Sequence, residues 1–304
     1  MSRNREILIL LAGPEEIRLA RVRRESDRLH VLDVADFQSG VRNADGSALR
    51  DQPTVDAVCE CIRKKNWAGR ELICVVGGNP VACHHYNLPP LKGSALRQAA
   101  ILKLGQQLHF DIAQAIVAVN PATIGGPRDG LIRVEVSALH EDAAVAALNL
   151  AEACSLNISV LTVVPAALGA LAGQQRRNAP GLHSILFFDE KSTTLVVLDG
   201  PTPFVTTELP MCAADLTQAL MRPIISGDDI LHLDESAALA LRNEIGVPAF
   251  DQEIVSLQVT GERLLPLLEP VLQKMSRQIT QWLTYASTCT GGVPIRSLVV
   301  VGSG

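Results

Sequence analysis

The chain has 304 residues, a formal net charge of −5 and 47% hydrophobic residues. That length accommodates two domains of the usual size, roughly 100–200 residues each, and that apolar content excludes a disordered chain. The acidic balance excludes a general nucleic-acid binder, which needs a basic face to displace counterions from phosphates.

Aromatic residues are only 3% of the chain, so the core must come from Leu, Ile, Val and Ala, as in helix-covered sheets. The opening reads as three strands: Glu6 to Leu11, Ile17 to Arg23 and Arg28 to Val34. They are joined by turns at Gly13-Pro14-Glu15-Glu16 and Glu25-Ser26-Asp27. The basic cluster Arg18, Arg21, Arg23 and Arg24 reads first as a solvated strand edge; contact with an acidic partner or an anionic membrane is its other reading. Val55, Val58, Cys59 and Ile62 fall at helical spacing. Glu71 to Val76 is an apolar run closed by Gly77-Gly78-Asn79-Pro80, which predicts a buried central strand.

Val81 to Leu88 follows, closed by Pro89-Pro90, then a helix with Ser94 as its expected N-cap. Strands at Ala115 to Val119 and Leu131 to Ala138 flank a Gly-rich loop. A helix over 141–154 leads to a strand at Ile158 to Val163, and Pro165 opens a short Ala-rich helix. Strands then recur at Ser184 to Phe188, Thr193 to Leu198 and Pro203 to Leu209, with Asp199-Gly200 as a hairpin signal. Helices are predicted near Ala214 to Met221 and over Asp234 to Glu244, the latter capped by Gly246.

Leu264, Leu268, Val271, Met275, Ile279 and Leu283 recur every three or four residues, an amphipathic stripe that reads as core. Pro266 and Pro270 are expected to hold the regular helix until after Glu269 or to kink its start. Ile295 to Val301 reads as a buried strand. Three strands followed by a helix thus occur twice, beginning near Ile7 and Ile185.

No run approaches the about 20 apolar residues that span a bilayer, and the first residues do not resemble a signal peptide. The expected location is therefore the cytosol. The seven cysteines include no C-x-x-C pair, and reduced buried thiols are expected in a reducing compartment. Cys83-His84-His85 raises the question of a metal. Adjacent strand residues point to opposite faces, so the two histidines cannot share an ion, and no metal site is expected. The sequence has no G-x-S-x-G elbow, and no catalytic residue is assigned.

Several segments together resemble the PilM-like proteins of type IV pilus assembly, within the actin-like superfamily that also holds FtsA. They are Val75-Val76-Gly77-Gly78-Asn79-Pro80, Asn87-Leu88-Pro89-Pro90-Leu91, Ala143 to Asn157, Val164-Pro165-Ala166-Ala167-Leu168, Thr193-Thr194-Leu195 through Asp199-Gly200, and Leu216 to Leu220. The resemblance covers nearly the whole chain. It implies an α/β, actin-like (ribonuclease-H-type) fold of duplicated lobes with an inserted small α/β subdomain. The first lobe is expected over 1–80 and 158–182, the insert over 81–157 and the second lobe over 183–304, ending short of the family's last helix.

The resemblance also implies a cytoplasmic scaffold, peripheral at the inner membrane, that binds the cytoplasmic N-terminal tail of a PilN-like membrane protein, with self-association as a further expectation. Two alternatives remain. One is a nucleotide-binding actin-like ATPase or kinase; the other is a cytoplasmic domain like that of GspL in type II secretion. The family's nucleotide residues carry over only to Gly13, Lys191, Ser192, Thr193, Gly302 and Gly304. The acids that would hold a magnesium-bound phosphate are missing. Leu11 replaces the first, Phe187 the second, and Cys212-Ala213 stands where the family has Gly-Gly. ATP and Mg are therefore doubtful cofactors, and ATPase activity is not expected.

Overall fold

A computed structural model describes residues 5–25, 28–39, 48–78, 80–121, 130–175, 181–199, 202–226, 229–254 and 259–302. It divides into two compact units, residues 1–175 with 201–203, and residues 176–200 with 204–304.

The first unit holds β1 (Arg5–Ala12), β2 (Glu16–Glu25), β3 (Arg28–Gln38), α1 (Gln52–Lys64), β4 (Glu71–Val76), β5 (Val81–Leu88), α2 (Gly93–Gly105), β6 (Ala115–Pro121), β7 (Ile132–His140), α3 (Glu141–Ala153), β8 (Asn157–Val163) and α4 (Val164–Gln175). Its main sheet runs β3-β2-β1-β4-β8. The meander pairs antiparallel, with Leu10 opposite Leu19, whereas β4 joins β1 in parallel, with Cys74 opposite Leu10. Leu8, Leu10, Leu19 and Leu72 from the strands meet Val58 and Ile62 of α1 and Ala147 and Leu150 of α3 in one core. Helix α3 lies within residues 81–157, yet it packs here rather than with the rest of the expected insert. Its small Ala143, Ala144, Ala147 and Ala151 let it settle closely on the sheet.

A second sheet, β5-β7-β6, has its own core, in which Tyr86, Leu88, Val134 and Val136 meet Leu96, Ala100 and Leu104 of α2. The N-cap of α2 is Lys92, two residues before the expected Ser94. Gly93 has a φ of 56°, outside the right-handed helical region and open to glycine, so the chain turns there into the helix.

The second unit holds β9 (Leu182–Phe188), β10 (Thr193–Asp199), β11 (Thr202–Leu209), α5 (Ala213–Leu220), β12 (Ile224–Ser226), β13 (Asp229–Leu231), α6 (Glu235–Ile245), β14 (Glu253–Ile254), β15 (Val259–Thr260), α7 (Gly261–Cys289) and β16 (Ile295–Gly302). Its sheet runs β11-β10-β9-β16, again a meander with a parallel strand added beside its first member. The strand pairing that builds one unit thus recurs in the other. Leu264 and Leu268 of α7 join α5 and α6 in one core, while Ile279 and Ala286 pack beneath the sheet with Leu186, Leu195 and Val197.

Three expectations change. Helix α7 starts at Gly261 and runs through both prolines. Pro266 and Pro270 lie on its exposed side, where water serves the carbonyls that lose a partner. Strand β16 is not buried: it occupies the sheet edge, and Val300 is 61% exposed. Finally, Cys59 of α1 and Cys154 after α3 form a disulfide, with Cα atoms 4.9 Å apart, because the two helices lie side by side in one core. The other five cysteines are free, but only Cys74 is buried as expected, and Cys289 is exposed.

Candidate functional site

The resemblance points to three turns, each built within a single unit. In the first unit, β1 and β2 are joined at Gly13-Pro14-Glu15. The Gly13 amide donates to the Glu16 carbonyl at 2.8 Å, and its carbonyl accepts from the Ala48 amide at 3.2 Å. Gly77 donates to the Ala12 carbonyl, and Gly78, with φ of 79°, packs directly on Pro14. A side chain on Gly13 would make only ordinary contacts with Glu16, at 3.5 Å. Backbone geometry therefore does not demand glycine there. The turn is also acidic. Glu16 receives the guanidinium of Arg18 at 2.9 Å and the side-chain amide of Gln38 at 3.3 Å.

The neighbouring basic cluster is neutralised from within. Arg23 meets Glu6 at 2.7 Å, Arg21 meets it at 3.8 Å, Arg70 of the adjacent strand end meets it at 2.7 Å, and Arg18 reaches Asp36 at 3.7 Å. The hydrogen bond from Arg23, with Arg70 and Arg21 nearby, holds the Glu6 carboxyl below its ordinary range. β2 is an interior strand, paired with β1 on one side and β3 on the other, so the cluster does not stand at a sheet edge as expected.

In the second unit, Lys191, Ser192 and Thr193 lie together at the β9–β10 turn. Lys191 is exposed and Ser192 half-buried, while Thr193 is fully buried in β10. Gly302 sits beside this turn. It pairs with Phe188, which in turn pairs with Thr193, so one row crosses three strands. Gly302 has φ of 137°, and a Cβ there would run into the Phe188 carbonyl. The sixth carried-over residue, Gly304, lies outside the described residues.

The decisive feature of the turn involves residues to which the sequence reading gave no role. At the start of α5, the amide of Cys212 donates to Asp215 Oδ2 at 2.9 Å. The Ala213 amide donates to the Asp189 carbonyl at 2.9 Å, and the Ala214 amide to the Glu190 carbonyl at 3.1 Å. A helix N-terminus is a ready anion site only while such donors are available. Arg242 of α6 closes the arrangement. Its guanidinium donates to both Glu190 carboxylate oxygens, at 3.1 and 2.6 Å, to the Ala213 carbonyl at 2.8 Å and to Thr217 Oγ1 at 2.9 Å.

Within this turn Asp189 is buried and Glu190 is ion-paired. Arg242 had a legible signal. It lies one step along the apolar stripe of α6, beside Ala238 and Leu241, where a charge requires a partner. At Cys212, burial and the nearby Asp215 push the thiol pKa up, away from the reactive thiolate.

No protein-family model matches the sequence, and no curated protein matches it. Solved structures do. The PilM–PilN type IV pilus biogenesis complex superposes with a TM-score of 0.73 at 18% identity, covering 99% of this chain and 82% of that one. The fold is actin-like. The ethanolamine utilization protein EutJ from Carboxydothermus hydrogenoformans gives 0.49 at 12% identity, covering 97% and 84%. The cytoplasmic domain of EpsL, an inner-membrane component of the Vibrio cholerae type II secretion system, gives 0.45 at 14% identity, covering 74% and 79%. Only the first of these bears on the fold. Among the described residues, no helix is long and apolar enough to cross a membrane.

Proposed function

We propose that this chain is a cytoplasmic scaffold of a type IV pilus inner-membrane platform, which binds the N-terminal tail of a PilN-like membrane protein and turns over no nucleotide. The observation that carries the reading is the 99% coverage of this chain by the PilM–PilN structure at a TM-score of 0.73, with the segment resemblances running in the same order along the sequence. The groove for the tail lies among residues of the first lobe and of Val81 to Ala138.

The residues of the second turn do not fit a polyphosphate. The amides that would face it are committed to Asp215, Asp189 and Glu190, and the Glu190 carboxylate would repel it. Lys191, the nearest cation in sequence, is exposed in the turn. A protein surface is a better use of such a fold than a phosphate-transfer site. The Cys59–Cys154 bond is at odds with a reducing compartment, where the same two sulfurs would stand as neighbouring thiols.

The test is calorimetric titration of the purified chain with a synthetic peptide of the cytoplasmic N-terminal tail of a PilN-like protein from the same organism. Saturable binding in the micromolar range is expected. A flat titration at high micromolar peptide would overturn the reading.

A further inference from the structure

In the β5-β7-β6 sheet, α2 packs on one face. Strand alternation sends Tyr86, Leu88, Val134 and Val136 into that core, and sends Cys83, His85, Glu135 and Ser137 to the other face. The alternation argument that separates His84 from His85 therefore brings His85 onto the same face as Cys83, two residues away. In the ladder, His85 lies opposite Glu135 and Cys83 opposite Ser137. Such cross-strand neighbours have Cβ atoms about 4.5–5.5 Å apart, close enough to share one ligand. The Cys83 sulfur, a His85 ring nitrogen and a Glu135 carboxylate oxygen all lie within 4.8 Å of one another, and all three residues are half-buried.

We propose that Cys83, His85 and Glu135 form a zinc-binding site on the outer face of this sheet. A thiolate, an imidazole and a carboxylate are the donor types zinc takes. Zn2+ with one thiolate and one carboxylate is a neutral centre, which suits a half-buried position. In a tetrahedral zinc centre the donors stand about 3.3–3.6 Å apart, so side-chain rotation of roughly 1 Å closes the site without moving the strands. Two contacts already orient the donors. Ser137 Oγ donates to the Cys83 sulfur at 3.5 Å, and Asn120 Nδ2 donates to Glu135 Oε1 at 3.4 Å from the third strand. Arg133, two residues from Glu135 on the same face, is a neighbouring cation that opposes the ion. Three protein donors leave a fourth position for water or for a donor from a bound molecule. The ion would join β5 to β7 on the face opposite α2.

The test uses the full 304-residue chain, reduced and stripped with a chelator, then titrated with Zn2+ against a chromophoric competitor. One ion per chain is expected. Affinity should fall at least ~100-fold in Cys83→Ser and in His85→Gln, and roughly 10-fold in Ser137→Ala. His84→Gln, on the opposite face, and Cys289→Ser, an exposed free thiol, should bind as the parent does. Co2+ substitution should give a sulfur-to-cobalt charge-transfer band that Cys83→Ser removes. If Cys83→Ser does not fold, His85→Gln and the cobalt spectrum of the parent decide. Absence of stoichiometric zinc, retention of affinity in His85→Gln, loss of binding in Cys289→Ser, or a cobalt adduct without the thiolate band would each overturn the proposal.

Discussion

Arg242 forks onto Glu190 across 52 residues of sequence, with Nη2 at 2.6 Å from Oε2 and Nη1 at 3.1 Å from Oε1. The guanidinium is almost wholly enclosed, whereas the carboxylate keeps partial access to water. Removing the arginine leaves Glu190, the Ala213 carbonyl and the Thr217 hydroxyl without their donor. Arg242→Met is expected to destabilise the protein by about 2–4 kcal/mol, below the full range for a wholly buried pair. The shift of the urea midpoint measures it. A loss under about 0.5 kcal/mol would show that the pair contributes no more than a surface ion pair.

Gly13 and Gly302 should respond oppositely to a methyl group. Gly13→Ala meets only ordinary contacts and should change stability by less than about 1 kcal/mol. Gly302→Ala forces its Cβ toward the Phe188 carbonyl at a φ that side chains rarely adopt, and should cost roughly 1–3 kcal/mol. Equal effects in thermal unfolding would contradict the turn geometries described above.

Glu6 is held ionised chiefly by its hydrogen bond from Arg23, so its folded pKa lies below the ordinary value of 4.5. The sign follows directly. The stabilisation is present in full above the unfolded value and is lost as pH falls through the folded one. Glu6→Gln should therefore flatten the dependence of stability on pH below about 4.5, and added salt should shrink the difference because the group keeps partial access to water. Parallel acid limbs for parent and variant in urea denaturation would refute it.

The Cys59–Cys154 bond closes a 95-residue separation. Alkylation of the oxidised, denatured protein should label five cysteines, and all seven after reduction. Reduction should lower stability by about 2–4 kcal/mol, through the greater freedom of the unfolded chain. Labelling of seven without reductant would show that the sulfurs are in contact but not bonded.

Much of this protein is written locally. The bounds of β4 and β5 agree with the sequence reading because both are short segments closed by Gly or Pro, and β4 is an apolar run. The stripe from Leu264 to Leu283 announced α7 through its period alone, and the positive φ of Gly246 ends α6 where a glycine stood ready. Alternation, helical period and turn residues act over a few neighbours, so a sequence read in order displays them.

What joins distant residues was decided only in the folded chain. Nothing near Glu190 names Arg242, nothing near Cys59 names Cys154, and nothing near His85 names Glu135; strand order and helix packing bring them together. The exposure of β16 has the same origin, because an apolar run is buried only if neighbours stand on both sides of it. The sequence by itself determined which residues form strands, helices and turns. The tertiary structure determined which of their side chains meet, since pairing across 50 or more residues leaves no periodic trace in the chain.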